Sequence, residues 1–463
     1  MTLVRKILWR LIPLIIVVGC SSLATRKGFY DPITAELRSG KPDSAARMLE
    51  TAREKNKYAQ KDRLMYFIDA GLLYHYAGRY ELSNAKLHLA EAAAEELFTK
   101  SISRAALSMV VNDNVLEYAG EDYEILYTNL ISALNYIALG RFDDAFVEIR
   151  RVNLKLDGLQ MKYADAVEVL QRGNPDDTGR VQIEYRVDSI RYHNNAFARY
   201  LSMHMYAADG KYDDARIDHD FLRQAFATQA HIYDFDLPEV KYTSSRGALL
   251  SVVGLAGLAP TKDALNLRLR TDKDLNLVQV LYDMPGMENT EYGHFPVKIA
   301  HDFYFKFAIP QLVERPSAVA AIRVLADGQE AGQLQLLEKV SRVARETFAA
   351  KKTLIYLRTA ARALTKGLAN YKAKQKADTG GLGGWLKKVA IDIGTDILEN
   401  ADLRSSQYLP GNIYVGDFEM TPGIYDITVE YLDRNGQIIK AVSRPGFEVK
   451  KGGFNLVQAH CVN

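Results

Sequence analysis

The 463-residue sequence predicts an α+β fold: a helical first half, a mixed middle and a β-rich tail. Three observations carry that expectation. A glycine turn of the form Gly-[Arg/Lys]-[Tyr/Phe]-x-x-[Ala/Ser] punctuates segments of helical period in the first half. Leu265-Asn266-Leu267-Arg268-Leu269-Arg270 alternates with the period of a half-buried strand, and Asn435-Gly436 marks a hairpin, since both residues tolerate positive φ. At this length more than one structural unit is expected, read here as helical repeats over 28–236, a mixed strand and basic-helix region over 237–408 and a β unit over 409–463. With 59 basic against 57 acidic residues, there is no overall basic field to collect phosphates, so nucleic acid is a poor partner. A composition 48% hydrophobic and 25% charged is that of a folded chain.

At the N-terminus, Arg5, Lys6 and Arg10 precede the apolar run Leu11 to Val18, which is too short to span a bilayer stably and reads as a signal peptide over 1–19. Its end, Val17-Val18-Gly19-Cys20-Ser21-Ser22, resembles the lipobox of bacterial lipoproteins. The resemblance implies cleavage before Cys20, acylation of Cys20 with palmitate among its chains, and a tether over 20–27. Several acyl chains anchor stably without a transmembrane helix. Ser21 after the cysteine implies transfer to an outer membrane, with the protein facing the periplasm. Removing 1–19 deletes three basic and no acidic residues, leaving a nearly neutral chain. Cys461 is then a lone thiol, whose options are burial or an intermolecular bond.

The helical segments follow. Ala70-Gly71 to Tyr76-Ala77-Gly78-Arg79-Tyr80, with Ser83, Leu87 and Ala90, resembles a tetratricopeptide repeat, in which small residues let two antiparallel helices touch. Further copies turn at Gly140-Arg141-Phe142 and Gly210-Lys211-Tyr212, and a degenerate earlier one at Gly40-Lys41-Pro42. The later spacings exceed the repeat period, so insertions, including the turn-rich Gly173 to Gly179, make this an interrupted solenoid. The pattern implies a concave groove that receives a partner chain through His75, Tyr76, Tyr127, Phe197, Tyr200 and His204; as plain structure, the same positions are interhelix core. The acidic residues Asp209, Asp213, Asp214, Asp218 and Asp220 lack a calcium loop and fit a helix start.

In the middle region strands are expected at Leu249 to Val253, Leu265 to Arg270, Val297 to Ala300 and Ala318 to Leu325, the last turning at Asp327-Gly328. The glycine-rich Gly254 to Lys262 reads as a connection and is no phosphate loop, because Pro260 and a strand follow. A helix is expected from Leu334 to about Ala377. Thr347 to Ala377 holds no acidic residue, and its Lys351, Lys352, Arg358, Arg362 and Lys366 are candidates for a membrane surface or for the protein's own acidic patches. Gly380 to Trp385 reads as a hinge. The tail offers strands at Asn412 to Phe418, Gly423 to Leu432, Gln437 to Val442 and Phe454 to His460, a small antiparallel β-sandwich.

Glu121-Asp122-Tyr123-Glu124 through Gly140 to Arg150-Arg151, then Asn195 to Ser202, and then Gly257 to Lys262, Arg358 to Ala363 and Ala401-Asp402-Leu403-Arg404 before Leu409-Pro410 occur in order. Together they resemble a family of bacterial lipoproteins with tetratricopeptide-like repeats and no established molecular function. The resemblance implies an envelope lipoprotein associated with cell-wall or envelope assembly and supplies no reaction. No His-Glu-x-x-His helix, Gly-x-Ser-x-Gly elbow or Cys-x-x-Cys pair occurs. His294 and His301 are interrupted by Pro296 and lack a third ligand, so no metal or cofactor is expected. The sequence thus reads as a lipid-anchored, non-catalytic scaffold or adaptor that binds an envelope protein through its groove. The alternative is an enzyme acting on peptidoglycan or another polysaccharide through an unrecognised carboxylate pair.

Overall fold

The structure is a computed structural model that describes residues 27–103, 116–172, 191–272, 274–275, 277–283, 290–296, 304–349, 351–352, 355 and 401–463. The expected signal peptide, Cys20, the turn at Gly173 to Gly179, the strand at Val297 to Ala300 and the hinge at Gly380 to Trp385 lie outside the described residues. The chain is α+β, helical first and then folded into three sheets.

Four helical hairpins come first: α1 (Tyr30–Arg38) with α2 (Pro42–Glu54), α3 (Arg63–Tyr76) with α4 (Tyr80–Ser103), α5 (Asp122–Ala138) with α6 (Phe142–Arg172), and α7 (Ala196–Ala208) with α8 (Tyr212–Thr228). They reverse at Gly40, Gly78, Gly140 and Gly210, each with φ between 70° and 77°, where a side chain would be strained. Each turn closes alike. The Gly78 N–H donates to the His75 carbonyl and the Arg79 N–H to that of Tyr74, both at 2.9 Å, and the other three repeat the pattern, satisfying the last carbonyls of the first helix. Within the second hairpin a Cβ on Gly71 would lie 2.3 Å from Leu87 Cδ2, so α3 and α4 touch through a position only glycine fits. Among the described residues no helix is long and apolar enough to cross a membrane.

The strands are β1 (Ala248–Leu258), β2 (Thr261–Asp272), β3 (Leu277–Tyr282), β4 (Glu291–Pro296), β5 (Tyr304–Val313), β6 (Ala321–Ala326), β7 (Gln329–Gln333) and β8 (Gln335–Lys339), then, after helix α9 (340–349), β9 (Pro410–Met420), β10 (Gly423–Leu432), β11 (Ile438–Val449) and β12 (Asn455–Cys461). The first sheet has the order β12-β1-β9-β8, the second β11-β10-β6-β7 and the third β4-β3-β2-β5. Parallel pairing occurs where β12 lies against β1; among the described residues every other pair is antiparallel.

The first two sheets share a core: Leu250 and Val252 of β1, and Val457, Ala459 and Cys461 of β12, meet Ile322 and Val324 of β6 and Ile427, Val429 and Tyr431 of β10. The opposite face of the first sheet, including Val253, Leu255, Leu337, Ile413 and Val415, belongs to the same core as the helices. A sheet covered on both faces needs apolar residues throughout. That corrects the reading of Gly254 to Leu258 as a connection: β1 runs through them, and bare Gly254 lets Ile322 and Leu334 approach. Two further expectations are corrected. Leu334 to Lys339 is not helical, because β8 pairs with β9 there and the helix starts only at residue 340. The tail after 409 is not a separate sandwich either: β9 and β12 complete the first sheet and β10 and β11 the second, alongside strands of the 237–408 region. Cys461 is buried in that shared core as a free thiol, its acidity lowered by burial.

Candidate functional site

The positions expected to line an open groove lie on α3, α5 and α7, the first helices of their hairpins, and all are buried. The groove reading is corrected: the first sheet and its flanking segments pack against these positions in one core. Tyr76 donates its hydroxyl to the Tyr408 carbonyl (2.8 Å) and stands 4.7 Å, ring to ring, from His460. His75 faces Asn135 at 2.6 Å, and burial pushes its imidazole down to about 4. Tyr127 and the Phe197 N–H both donate to Glu338 of β8, and Tyr200 donates to Asp417 of β9. His204 stacks on Phe454 with an interplanar angle of 5°.

Three buried carboxylate clusters therefore fasten the helices to the first sheet or to the segment that leads into it. Glu338 is turned inward by a β-bulge, where the register against β9 slips between Leu336 and Glu338. It accepts from Tyr127, from Asn195 Nδ2 (2.7 Å), from the Phe197 N–H (3.2 Å) and from Tyr233 (3.4 Å), and burial pushes its carboxyl up to about 7. Asp69 of α3 accepts from Tyr30, Tyr58, Ser406 and the Gln407 N–H at 2.8–3.2 Å, and burial raises it likewise to about 7. Nearby, the Arg404 guanidinium bonds Asp402 at 2.8 Å, Asp62 at 2.9 Å and the Leu116 carbonyl at 2.8 Å. Glu121 and Glu124 form a capping box on α5, and Glu121 also takes Lys262 from β2 and Lys351.

The third cluster contains the residue types of a hydrolase triad. Asp417 accepts from Ser251 Oγ (2.8 Å) and Tyr200 (2.9 Å) and pairs with His204 at 3.1 Å; against the cost of burial, His204 and these bonds hold its carboxyl below the ordinary range. In a nucleophilic triad the histidine stands between serine and carboxylate. Here the serine donates directly to the carboxylate, the Ser251–His204 contact is 3.4 Å, and all three side chains are sealed from solvent. The arrangement is a clamp.

One open cleft, of about 380 Å³, lies between α4, α5 and α6 and is lined by His88, Glu91, Tyr136, Glu148 and Arg151 among others. Its carboxylates Glu91 and Glu148 share Asn129 Nδ2 at 3.0 and 2.7 Å, and Arg151 bonds both, at 2.6 and 3.0 Å. Although burial works the other way, Lys155, Asn129 and Arg151 hold Glu91 below its usual range, the opposite of what a general acid requires. Among the described residues no cluster of three or more His, Cys, Asp or Glu could hold a metal ion.

Of the basic candidates, Lys351 meets the protein itself, on Glu121 Oε1 (3.0 Å) and the Gly120 carbonyl (3.2 Å), which corrects its reading as a membrane contact. Lys352 is partly buried; Arg358, Arg362 and Lys366 lie outside the described residues. Sequence reasoning missed Glu338, Asp417, Asp69 and Arg404. Only Asp69, a lone carboxylate inside the apolar stripe of α3, carried a signal of its own; Asp402-Leu403-Arg404 stood out through the family resemblance alone. No protein-family model, curated protein or solved structure matches the chain.

Proposed function

We propose that this chain is a lipid-anchored, non-catalytic scaffold or adaptor of a bacterial cell envelope, held through acylated Cys20 at an outer membrane and facing the periplasm. Its helical hairpins are tetratricopeptide-like pairs, a reading supported by the four like Gly40, Gly78, Gly140 and Gly210 turns, and the chain belongs with the lipoproteins it resembles. The observation that carries the scaffold reading is the seam: the buried carboxylates Glu338 and Asp417 join helices to the first sheet, Asp69 joins α3 to the segment just before β9, and none of the three faces an opening. Groups held so tightly make a rigid body, which suits a protein that positions others. Partners then meet outer surfaces, since the expected groove positions are buried.

Two measurements test this. Palmitate labelling and membrane fractionation of the wild type and Cys20→Ser should show label and outer-membrane location in the first alone; label persisting in Cys20→Ser overturns the anchor. Incubating the protein with purified sacculi should release no fragments, and release overturns the non-catalytic reading.

A further inference from the structure

β12 is an edge strand of the first sheet and β11 an edge strand of the second, and residues of both strands line one cavity. Beside them stand the α3–α4 turn and the end of α5. Together they enclose a cavity of about 280 Å³, whose lining includes Tyr80, Ile137, Arg444, Phe447, Leu456 and Gln458. Three features set it apart from an accidental gap. The Gln458 amide has both its nitrogen and its oxygen buried with no hydrogen-bond partner, a desolvation cost that a native fold seldom carries. Arg444 is the single charged side chain of the lining, and among the described residues no carboxylate pairs with it. Finally, the pairing of β11 with β10 slips between Tyr425 and Ile427, which stand opposite Phe447 and Arg444; the extra residue on β11, with Gly446 at φ 65°, brings Arg444 and Phe447 to the same mouth although a regular strand would place them on opposite faces.

An unpaired strand edge, an amide offering one donor and one acceptor, an apolar wall and one cation define a ligand by chemistry. We propose that this mouth binds an extended acidic segment of a partner protein, added as a strand along the free edge of β12. The segment's backbone bonds the strand edge and one of its peptide groups pairs with the Gln458 amide. A glutamate or aspartate side chain meets the Arg444 guanidinium, which forks onto a carboxylate in bidentate fashion. The charge complementarity is one-sided, because the mouth contains no carboxylate to repel the ligand. The inference deepens the scaffold reading by giving the partner's chemistry; it is tested on purified protein, so its failure leaves the anchoring and sacculus tests untouched.

The probe is a fluorescein-labelled, C-terminally amidated decapeptide alternating valine and threonine with two central glutamates, titrated with the full-length chain in detergent and followed by anisotropy. Binding is expected, weakened at least tenfold in Arg444→Gln and in Gln458→Leu, and abolished when the peptide's alternate backbone nitrogens are methylated. Arg444 is exposed and Gln458 unbonded, so both variants should retain the wild-type unfolding transition, measured alongside. Equal binding of a peptide with lysine in place of glutamate overturns the proposal, as does binding unchanged in both variants. Binding confined to a peptide with a free C-terminus overturns the internal segment in favour of a chain end.

Discussion

Replacing Glu338 by glutamine should change how stability depends on pH more than stability itself. Glu338 is fully buried and gathers donors from α5, α7 and the segment around Tyr233. Burial raises its carboxyl from about 4.5 to about 7. The folded chain therefore keeps a proton there that the unfolded chain has shed, and the associated stabilisation is full below pH 4.5, shrinks as pH rises and is gone above 7. The interval between those values corresponds to about 3 kcal/mol, at about 1.4 kcal/mol for each pH unit. Glutamine keeps one oxygen acceptor and cannot ionise. At pH 5 it should cost about 1–2 kcal/mol, because its amide turns donors toward the donors of Phe197 and Tyr233. By pH 8 that deficit should be offset by about 3 kcal/mol, since only the wild type must then bury a charge. Urea unfolding of both proteins at pH 5 and pH 8 measures the difference, in which titrations common to both, such as that of His75, cancel. A stability difference that stays constant between the two pH values would show an ordinary carboxylate in the seam and refute the reasoning.

Two other substitutions probe the same seam. Arg404→Met removes the guanidinium that pairs with buried Asp62 and half-buried Asp402 and should destabilise by about 3–5 kcal/mol, read as a fall in the urea midpoint; a shift below 1 kcal/mol would mean that the cluster is hydrated. Tyr76→Ala combined with Tyr200→Ala empties two core positions at about 3–5 kcal/mol each, so loss of the helical circular dichroism signal at ambient temperature is expected; a fully folded double variant would mean that these positions are open after all.

The helical half was legible because its signals are local. Gly78, Gly140 and Gly210 mark turns whose positive φ is set within a few residues, and Gly436, at φ 77°, does the same in the turn over 433–437 between β10 and β11. What escaped was set at long range. β8 reads as helix because its bulge places Leu337 and Glu338 both inward, destroying the alternation that announces a strand. The apolar run of β1 has no period, since both of its faces are covered by elements distant in the sequence. The aromatics of α3, α5 and α7 lie on the first helices of their hairpins and are buried, and the same residue types serve a peptide groove and a core equally well. Their covering depends on Glu338, Tyr408 and Asp417, whose part no local pattern announces.

The pairing of β1 with β12, Leu250 against Asn455 at its start, sets an order of events during synthesis. Hairpins built from neighbouring residues can form as soon as they emerge, whereas the sheet that lids them requires strands near both ends of the 248–461 stretch. Until β9 and β12 arrive, Tyr76, Tyr127, Phe197 and Tyr200 stand uncovered on a half-finished molecule. A translational pause or premature stop before residue 410 would then leave those aromatics exposed on an aggregation-prone array of helices.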